Sequence, residues 1–225
     1  HRISPGEKDA EYVEIKNPTG FDIFIGDYYI TDATKPVDSS YYFNLPSGEN
    51  FWSHSINDFI ARFPDTTVSA GSSFILSFHD STRYFNYYNE YPDFTLSGNM
   101  LNAIEGEQTI SIIPNYAGIE MLQNPEVLIL FKWTEGESLV QDVDYFLWGD
   151  TTYGVSKTNG DGYQSDTPLS QQSVMPAISG DQIYQRRRTE EKDEILFGGN
   201  GITGHDETSE NLIESWAVLF NPLSI

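Results

Sequence analysis

Runs of apolar residues with strand-like spacing dominate the chain and predict a mainly β protein. Residues 11–18 alternate polar and apolar side chains and contain the start of the turn sequence Asn-Pro-Thr-Gly. A second apolar run, residues 21–32, follows this turn directly, so the two runs predict a β-hairpin. Further runs predict strands at residues 74–78, 109–113, 126–133, 140–148, 183–186 and 215–220, with 126–133 as a central strand.

One segment has the spacing of a helix instead. Residues 55–63 place apolar side chains three and four positions apart, and Ser55 is a candidate N-cap. Pro64 would end this helix, because proline cannot continue the helical hydrogen-bond ladder. We therefore expect one short helix here, and its buried face would consist of Ile56, Phe59, Ile60 and Phe63.

Turn-forming residues fill three longer segments. Residues 35–50 are rich in Ser, Pro, Asn and Gly, which predicts a loop with at most one short strand. Residues 149–180 have no periodicity, and a loop of this length inside a domain is typically functional or disordered. Residues 198–210 are again rich in turn formers.

Composition narrows the class of partner. The chain has 34 Asp and Glu residues against 12 Lys and Arg, a formal net charge of -22, which disfavours nucleic acids and anionic membrane surfaces as partners. No apolar run approaches the roughly 20 residues of a membrane span, so we expect no membrane insertion. The absence of cysteine excludes disulfides and thiolate chemistry. The sequence begins with His1, from which we expect either a removed leader or a piece of a longer protein.

Ordered motifs along the chain resemble those of the bacterial lamin-tail domain family. The family's opening strand and turn resemble residues 11–18, and its apolar-Thr-Asp step resembles residues 29–32. After the closing Trp the family usually has Thr-Pro-Gly, whereas this chain has Asn221-Pro222, which leaves the register of the last strand open. The remaining matches are Ala70-Gly71 before residues 74–78, Asp144 to Gly149, Tyr184-Gln185-Arg186 and Trp216.

The resemblance implies an all-β, immunoglobulin-like β-sandwich that spans residues 1–225 as a single domain. Insertions would lie at residues 33–67, 79–125 and 149–180. In bacteria, domains of this family are parts of secreted or cell-surface proteins, including extracellular nucleases and phosphatases, and they share no catalytic residues. The resemblance therefore implies a secreted or cell-surface location, although a fold alone does not name a function.

Two Gly-rich acidic loops are candidate Ca²⁺ sites, because Ca²⁺ prefers oxygen ligands held by a curled backbone. The first loop, residues 157–166, lacks the twelfth-position acid of an EF-hand. The alternatives are a plain surface turn for the first loop and a structural hydrogen-bond network for the second, residues 198–210. The candidate ligands are Asn159, Asp161 and Asp166 in the first loop and Asp206 and Glu207 in the second.

Tyr and Phe residues concentrate between residues 83 and 94. Such a stripe is usually part of the core or a lid over it, because exposed ring faces are costly. The alternative is a surface on which sugars or other partners stack. The candidate binding residues are Tyr84, Phe85, Tyr87, Tyr88 and Tyr91.

The sequence contains no recognisable catalytic signature. It has no Gly-x-Ser-x-Gly motif, and its four His residues are too scattered for a spaced zinc motif. Asp142 and Asp144 lie two apart on a predicted strand, so we expect them to share one face, but nothing nominates them as an acid and a base. His1 would suit a copper site, as in copper monooxygenases that act on polysaccharides, if it were the mature terminus.

We therefore expect a noncatalytic module that binds a protein or a surface polymer, or packs into an assembly with copies of itself. Ca²⁺ is its candidate stabilising ion. The alternative is a metal-dependent extracellular enzyme or an accessory domain of one. That enzyme would be a hydrolase or nuclease, or a copper oxidase that uses His1.

Overall fold

The protein is described here from a computed structural model, which covers residues 1–6, 10–110, 120–158, 160–188 and 196–221. Strands arranged in sheets make up most of its regular structure, which confirms the all-β prediction. Within the described residues, no helix is long and apolar enough to cross a membrane. The strands are β1 (Arg2–Ser4), β2 (Tyr12–Lys16), β3 (Ile23–Phe24), β4 (Tyr28–Thr31), β5 (Ile60–Arg62), β6 (Thr67–Val68), β7 (Ser73–Ser77), β8 (Phe94–Thr95), β9 (Leu101–Asn102), β10 (Glu126–Lys132), β11 (Gln141–Trp148), β12 (Gln182–Arg186) and β13 (Trp216–Phe220); the helices are α1 (Ser81–Tyr88) and α2 (Leu212–Ser215).

Two sheets contain most of these strands. The first has the order β13-β12-β1-β2-β7-β8 and the second has the order β11-β10-β4-β5-β9, while β3 and β6 form a separate ribbon. Neighbouring strands are antiparallel except β7 and β8, which are parallel. Buried residues of both sheets belong to one hydrophobic core. Phe146 on β11, for example, contacts Tyr184 on β12 and Trp216 on β13, with ring centroids 4.9 Å and 4.5 Å away.

The predicted hairpin between residues 11–18 and 21–32 is wrong. Strand β2 pairs with β1 and β7 in the first sheet, whereas β4 pairs with β10 and β5 in the second. The Asn-Pro-Thr-Gly turn therefore leads the chain out of the first sheet, to the ribbon strand β3 and then to β4 of the second sheet. Asn17 fixes this crossing, because its Nδ2 donates hydrogen bonds to the carbonyl oxygens of Phe21 (2.8 Å) and Val68 (3.1 Å).

The helix predicted at residues 55–63 is also wrong. Residues 60–62 form strand β5, and Phe59 and Phe63 are buried at its two ends, whereas Ile56 is 63% exposed. The helical spacing is a coincidence, since Phe59, Ile60 and Phe63 bury their side chains from strand β5 and the residues directly beside it. The helix of comparable length is α1, after residue 80.

A β-bulge explains why residues 140–148 do not alternate regularly. Leu130 pairs with Asp144 and Phe131 pairs with Asp142, so Val143 is an extra residue in β11. Successive residues of β10 point to opposite faces, and Asp142 and Asp144 therefore do so as well. The expectation that these two acids share a face is wrong for this reason.

The long segments cover the outer face of the second sheet. Residues 35–50 contain 3₁₀ turns at Pro36–Asp38 and Tyr42–Ser47 and an isolated bridge between Lys35 and Ser40, with no longer strand. Residues 149–180 contain a 3₁₀ turn at Leu169–Gln171 and an isolated bridge from Trp148 to Met175. Of the strand predicted at 109–113, residues 111–113 lie outside the described residues, and Thr109 and Ile110 are not in a strand.

Candidate functional site

Helix α1 positions the predicted aromatic surface. Asp80 caps the helix, since its carboxylate accepts hydrogen bonds from the amides of Thr82 (2.9 Å) and Arg83 (3.0 Å). Asn89 ends the helix with a left-handed φ of 54°. These local signals fix the length of α1 and the direction in which each of its rings points.

Two of the predicted aromatic residues anchor α1 to the first sheet. Tyr84 and Tyr88 are four positions apart and buried, and both meet the ring of Tyr12 edge-on, with centroids 5.7 Å and 5.3 Å away. The Tyr88 hydroxyl donates to the carbonyl of Ala10 at 3.0 Å. Tyr84 and Tyr88 therefore belong to the anchored face of the helix.

The other predicted aromatic residues reach the surface. Tyr91 is 68% exposed and Tyr87 is 38% exposed. Phe85 is half-buried and stacks against Tyr91, with a centroid distance of 4.6 Å and an interplanar angle of 24°. We call Phe85, Tyr87 and Tyr91 the aromatic surface. Phe85 and Tyr87 lie on α1, which is anchored to the first sheet, and Tyr91 follows the end of the helix.

The predicted Ca²⁺ ligands lie in different environments. Asp161 is exposed, Asp166, Asp206 and Glu207 are buried, and Asn159 lies outside the described residues. Across the part of the chain that the structure describes, no group of three or more His, Cys, Asp or Glu residues is arranged to hold a metal ion. The Ca²⁺ site stays a prediction.

Asp206 is the centre of a hydrogen-bond network in the second loop. Its Oδ2 accepts from the amide and the hydroxyl of Thr167, at 2.8 Å and 2.7 Å. Its Oδ1 accepts from the amide and the hydroxyl of Thr208, at 3.0 Å and 2.6 Å. Asp206 thereby holds the loop of residues 198–210 against the segment that follows β11.

A buried lysine occupies the first loop. The ammonium group of Lys157 lies 2.6 Å from Oδ2 of Asp142 and 3.4 Å from Oδ2 of Asp166, and all three side chains are buried. The ammonium also lies over the rings of Tyr42 and Phe43, 5.1 Å and 5.7 Å from their centroids. We call Lys157, Asp142, Asp166 and Tyr42 the lysine cluster.

Hydrogen bonds hold the lysine cluster rigidly. The Tyr42 hydroxyl donates to Oδ1 of Asp142 at 2.5 Å, and the Lys157 amide donates to Oδ2 of Asp166 at 2.8 Å. Burial lowers the pKa of Lys157, but the Asp142 and Asp166 carboxylates outweigh it and raise that pKa above its ordinary value. Burial raises the pKa of Asp166, against the opposing effect of Lys157.

Sequence reasoning missed the lysine cluster. Lys157 stands in a Gly-rich polar segment where an exposed side chain is the ordinary expectation. The sequence contains only a weak indication of the lysine cluster. Asp142 is a charged residue within an otherwise strand-like apolar run, and such a residue requires a partner if its side chain is buried.

A second group of acids lies near the start of β10. Asp32 and Glu126 are 1% and 2% exposed. Burial, followed by the neighbouring Glu126 and Asp58 carboxyls, raises the pKa of Asp32 well above its ordinary value. Burial likewise raises the pKa of Glu126 well above its ordinary value. Oδ1 of Asp32 accepts from the Phe59 amide at 2.7 Å, so this acid stabilises the start of β5.

The four His residues occupy separate environments. His79 is buried, and its Nε2 lies 2.8 Å from the carboxylate of Glu11. His54 packs against Trp52, and His205 contacts Thr203. The terminal amine of His1 donates to the Glu14 carbonyl at 2.7 Å.

Glu11 is a structural centre that sequence reasoning also missed. Its two carboxylate oxygens accept from the amides of Met121 and Leu122, each at 2.8 Å, and it is completely buried. Burial raises the pKa of Glu11, although His79 and the two amides oppose that shift. Glu11 thus ties residues 121–122 to the first sheet.

A cavity of about 300 Å³ lies between the two sheets. Its walls are mostly apolar core side chains, and Asp144 and Arg186 are among its polar residues. These two are paired with each other at 2.9 Å, and Arg186 also binds Glu210 at 2.7 Å. Asp144 and Arg186 at this cavity therefore satisfy each other.

Comparison with family models, with curated proteins and with solved structures returns no match for the chain. Function is therefore inferred from the geometry of the molecule itself. Several buried acids, among them Asp142, Asp166 and Glu210, are engaged in internal ion pairs, whereas Tyr87 and Tyr91 of the aromatic surface are exposed.

Proposed function

We propose that the chain is a noncatalytic binding module of a secreted or cell-surface protein, and that it contacts a surface polysaccharide through the aromatic surface. The observation that carries this proposal is the exposed Tyr91 ring, stacked on Phe85 beside a helix anchored by Tyr84 and Tyr88. The proposal includes the immunoglobulin-like, lamin-tail-like character of the fold. The two sheets around one core and the order of the sequence motifs support it.

An exposed aromatic pair is unfavourably hydrated in water. Because the two rings are already stacked, little free energy is lost in ordering them when a partner binds. Tyr and Phe have few rotatable bonds, so little conformational entropy is lost when a partner covers them. The negative face of a ring attracts the C–H groups on the apolar face of a sugar. Exposed side chains of Asn86, Asn89 and Glu90 beside the rings offer donors and acceptors for sugar hydroxyls.

Charge narrows the class of polysaccharide. The net charge of -22 repels an anionic polymer at physiological ionic strength. The expected ligand is therefore an uncharged or cationic polysaccharide. The same charge opposes close packing of identical copies, which makes a polymer a better partner than a second copy of this chain.

The burial of the acids favours binding over hydrolysis. A glycoside hydrolase needs two carboxyl groups that flank the scissile bond of the substrate. Asp32 and Glu126, the acids with strongly raised pKa values, are almost completely covered by protein. A polymer has no access to them in this arrangement.

A depletion assay tests the proposal. Wild-type protein is incubated with insoluble chitin and with cellulose, and the unbound fraction is measured at increasing protein concentration. We expect saturable binding to at least one polymer, and weakening of about tenfold in Y91A, because an aromatic contact at the upper end of its usual range contributes about 1.5 kcal/mol. F21A, which removes a ring that is 80% exposed outside α1, is the matched control and should bind like wild type.

Two results would contradict the proposed polysaccharide binding. Equal binding of Y91A and wild type would refute the role of the aromatic surface. Binding to neither polymer, together with concentration-dependent sedimentation that Y91A abolishes, would replace the polysaccharide with a second copy of the chain.

A further inference from the structure

The lysine cluster has the arrangement of a reactive site as well as that of an ion pair. The Lys157 nitrogen and the Asp142 carboxylate are in contact at 2.6 Å, and both side chains are 3% exposed or less. A second carboxylate, Asp166, lies 3.4 Å from the same nitrogen. The Tyr42 hydroxyl binds the carboxylate oxygen of Asp142 that does not contact Lys157. A structural ion pair needs only one ammonium and one carboxylate, whereas this cluster adds a second carboxylate and a hydroxyl.

We propose that Lys157 and Asp142 condense spontaneously in the folded protein to form an intramolecular amide bond. Nζ of Lys157 attacks Cγ of Asp142, the new N–C bond forms, and a C–O bond of the carboxyl group breaks. The departing oxygen leaves as one molecule of water. The ammonium and the carboxylate are both consumed, so the net charge of the protein is unchanged and no oxidant or reductant takes part.

The reaction starts from the free amine and the carboxylic acid, which form when a proton passes from the ammonium to the carboxylate. Burial favours these neutral forms, because charges are expensive in a low-dielectric interior, but the two neighbouring carboxylates favour the ammonium and outweigh burial. The neutral pair is therefore the minor form, and it arises with the two reacting groups already in contact at 2.6 Å. The rings of Tyr42 and Phe43 cover the nitrogen and exclude water, which would otherwise solvate the ions.

Asp166 is placed to move the remaining protons. In the tetrahedral intermediate one proton must leave Nζ and another must reach the departing hydroxyl. Asp166 lies within reach of Nζ, and its burial, which raises its pKa, makes it a better proton carrier than an exposed carboxylate. It accepts a proton from nitrogen, returns one to the leaving oxygen, and ends unchanged.

Tyr42 and the bulge in β11 orient the Asp142 side chain for the reaction. The Tyr42 hydroxyl donates to Oδ1 of Asp142, the oxygen on which negative charge develops during the attack. The bulge at Val143 turns Asp142 to the outer face of the second sheet, where Lys157 lies. Contact distance and fixed orientation replace the activation that an intermolecular condensation would need.

The bond would fasten strand β11 to the long segment that follows it. Residues 149–180 have little regular structure, and an amide between positions 142 and 157 would hold their first part to the sheet permanently. Such a clamp suits a module exposed to proteases or to pulling forces. The inference does not depend on the proposed polysaccharide, since the bond forms within the chain.

Intact-protein mass spectrometry under denaturing conditions tests the inference. We expect the folded, then denatured, wild-type protein to be lighter than its sequence by one water, because an amide survives denaturation and an ion pair does not. A protease that cleaves before aspartate cuts at Asp144 and Asp150, between the two partners. It should therefore yield two peptides joined through Asp142 and Lys157. A wild-type mass equal to that of the sequence, in protein with an intact circular dichroism spectrum, overturns the inference.

Two variants separate the roles of the residues. K157R keeps a positive charge but has no amine that forms this bond, so it should have the full sequence mass. D166N should slow the mass loss after refolding by about 100-fold, the ordinary contribution of a general acid-base group. Loss of one water in K157R would place the modification elsewhere and contradict the assignment. The mass is read without any ligand, so failure here is distinguishable from failure of the polysaccharide assay.

Discussion

The buried acid Asp32 makes a quantitative prediction about stability and pH. Its pKa is raised well above the ordinary value by burial and by the neighbouring carboxyls. An acid whose pKa is higher in the folded state than in the unfolded state stabilises the folded state while it is protonated. That stability is complete below the unfolded pKa, about 3.9 for Asp, and is lost as pH rises from there through the folded pKa.

Substitution of Asp32 by Asn isolates this contribution. Between the two pKa values the unfolded state releases one proton that the folded state keeps, so the wild type loses about 1.4 kcal/mol of unfolding free energy per pH unit from this group. D32N has no proton to lose. The Asn carbonyl oxygen can still accept from the Phe59 amide, which preserves the start of β5.

Urea denaturation at a series of pH values from 4 to 8 measures the effect. We expect the stability of D32N relative to wild type to increase with pH from pH 4 up to the folded pKa of Asp32, and to stay constant above it. The exposed residue Asp181 provides the matched control, and D181N should follow the pH dependence of the wild type. A constant difference between D32N and wild type from pH 4 to 8, or one that shrinks as pH rises, would refute the assignment of a raised pKa to Asp32.

Three further predictions concern other parts of the molecule. E11A should lose about 2–6 kcal/mol in urea denaturation, because the Met121 and Leu122 amides are left buried without an acceptor at about 1–3 kcal/mol each; a loss below about 1 kcal/mol would contradict this. Y84A should lose about 3–5 kcal/mol, whereas Y91A should change stability by less than about 0.5 kcal/mol, and equal losses would contradict the distinction between the buried anchor of α1 and the exposed ring that follows the helix. If the loop that contains Asp206 binds Ca²⁺, the ion at 100 times its Kd should raise stability by about 2.7 kcal/mol in a thermal melt of metal-stripped protein, and no shift at millimolar Ca²⁺ would remove the proposed site.

The long apolar strands are the part of the fold that sequence reasoning predicts well. Residues 126–133 and 140–148 correspond closely to β10 and β11, because continuous apolar runs of this length are buried on both faces. Their pairing partners are less predictable. The chain passes from β2 to β4 across the core, and no local signal at residues 17–20 distinguishes this crossing from a hairpin turn.

Among the described residues, helical spacing at residues 55–63 and a helix N-cap at Asp80 were competing predictors of a helix. Residues 55–63 matched a helical period, yet tertiary packing uses Phe59 and Phe63 in an extended segment. The true helix carried a better signal, an Asp N-cap followed by Tyr84 and Tyr88 at i, i+4. Because Tyr and Phe residues are concentrated at residues 83–94, this segment was interpreted as a core stripe or a binding surface, and the helical spacing of Tyr84 and Tyr88 was not recognised.

The buried charges are the part of the candidate site that the sequence conceals. Lys157, Asp142 and Asp166 come from a strand and a loop, and their convergence depends on the bulge at Val143. No spacing rule predicts a bulge of this kind. Sequence reasoning nominated Asp166 for its oxygen atoms, but its position beside Lys157 follows from tertiary structure.

The aromatic surface is tested most directly by comparing Y91A with Y91F in polysaccharide binding isotherms. Y91F keeps the ring that stacks on Phe85 and loses the hydroxyl, whereas Y91A loses both. We expect Y91F to bind insoluble chitin or cellulose within about twofold of wild type, and Y91A to bind about tenfold more weakly. Equal affinity of all three proteins, or no binding by any of them, would contradict the claim that this ring carries the function.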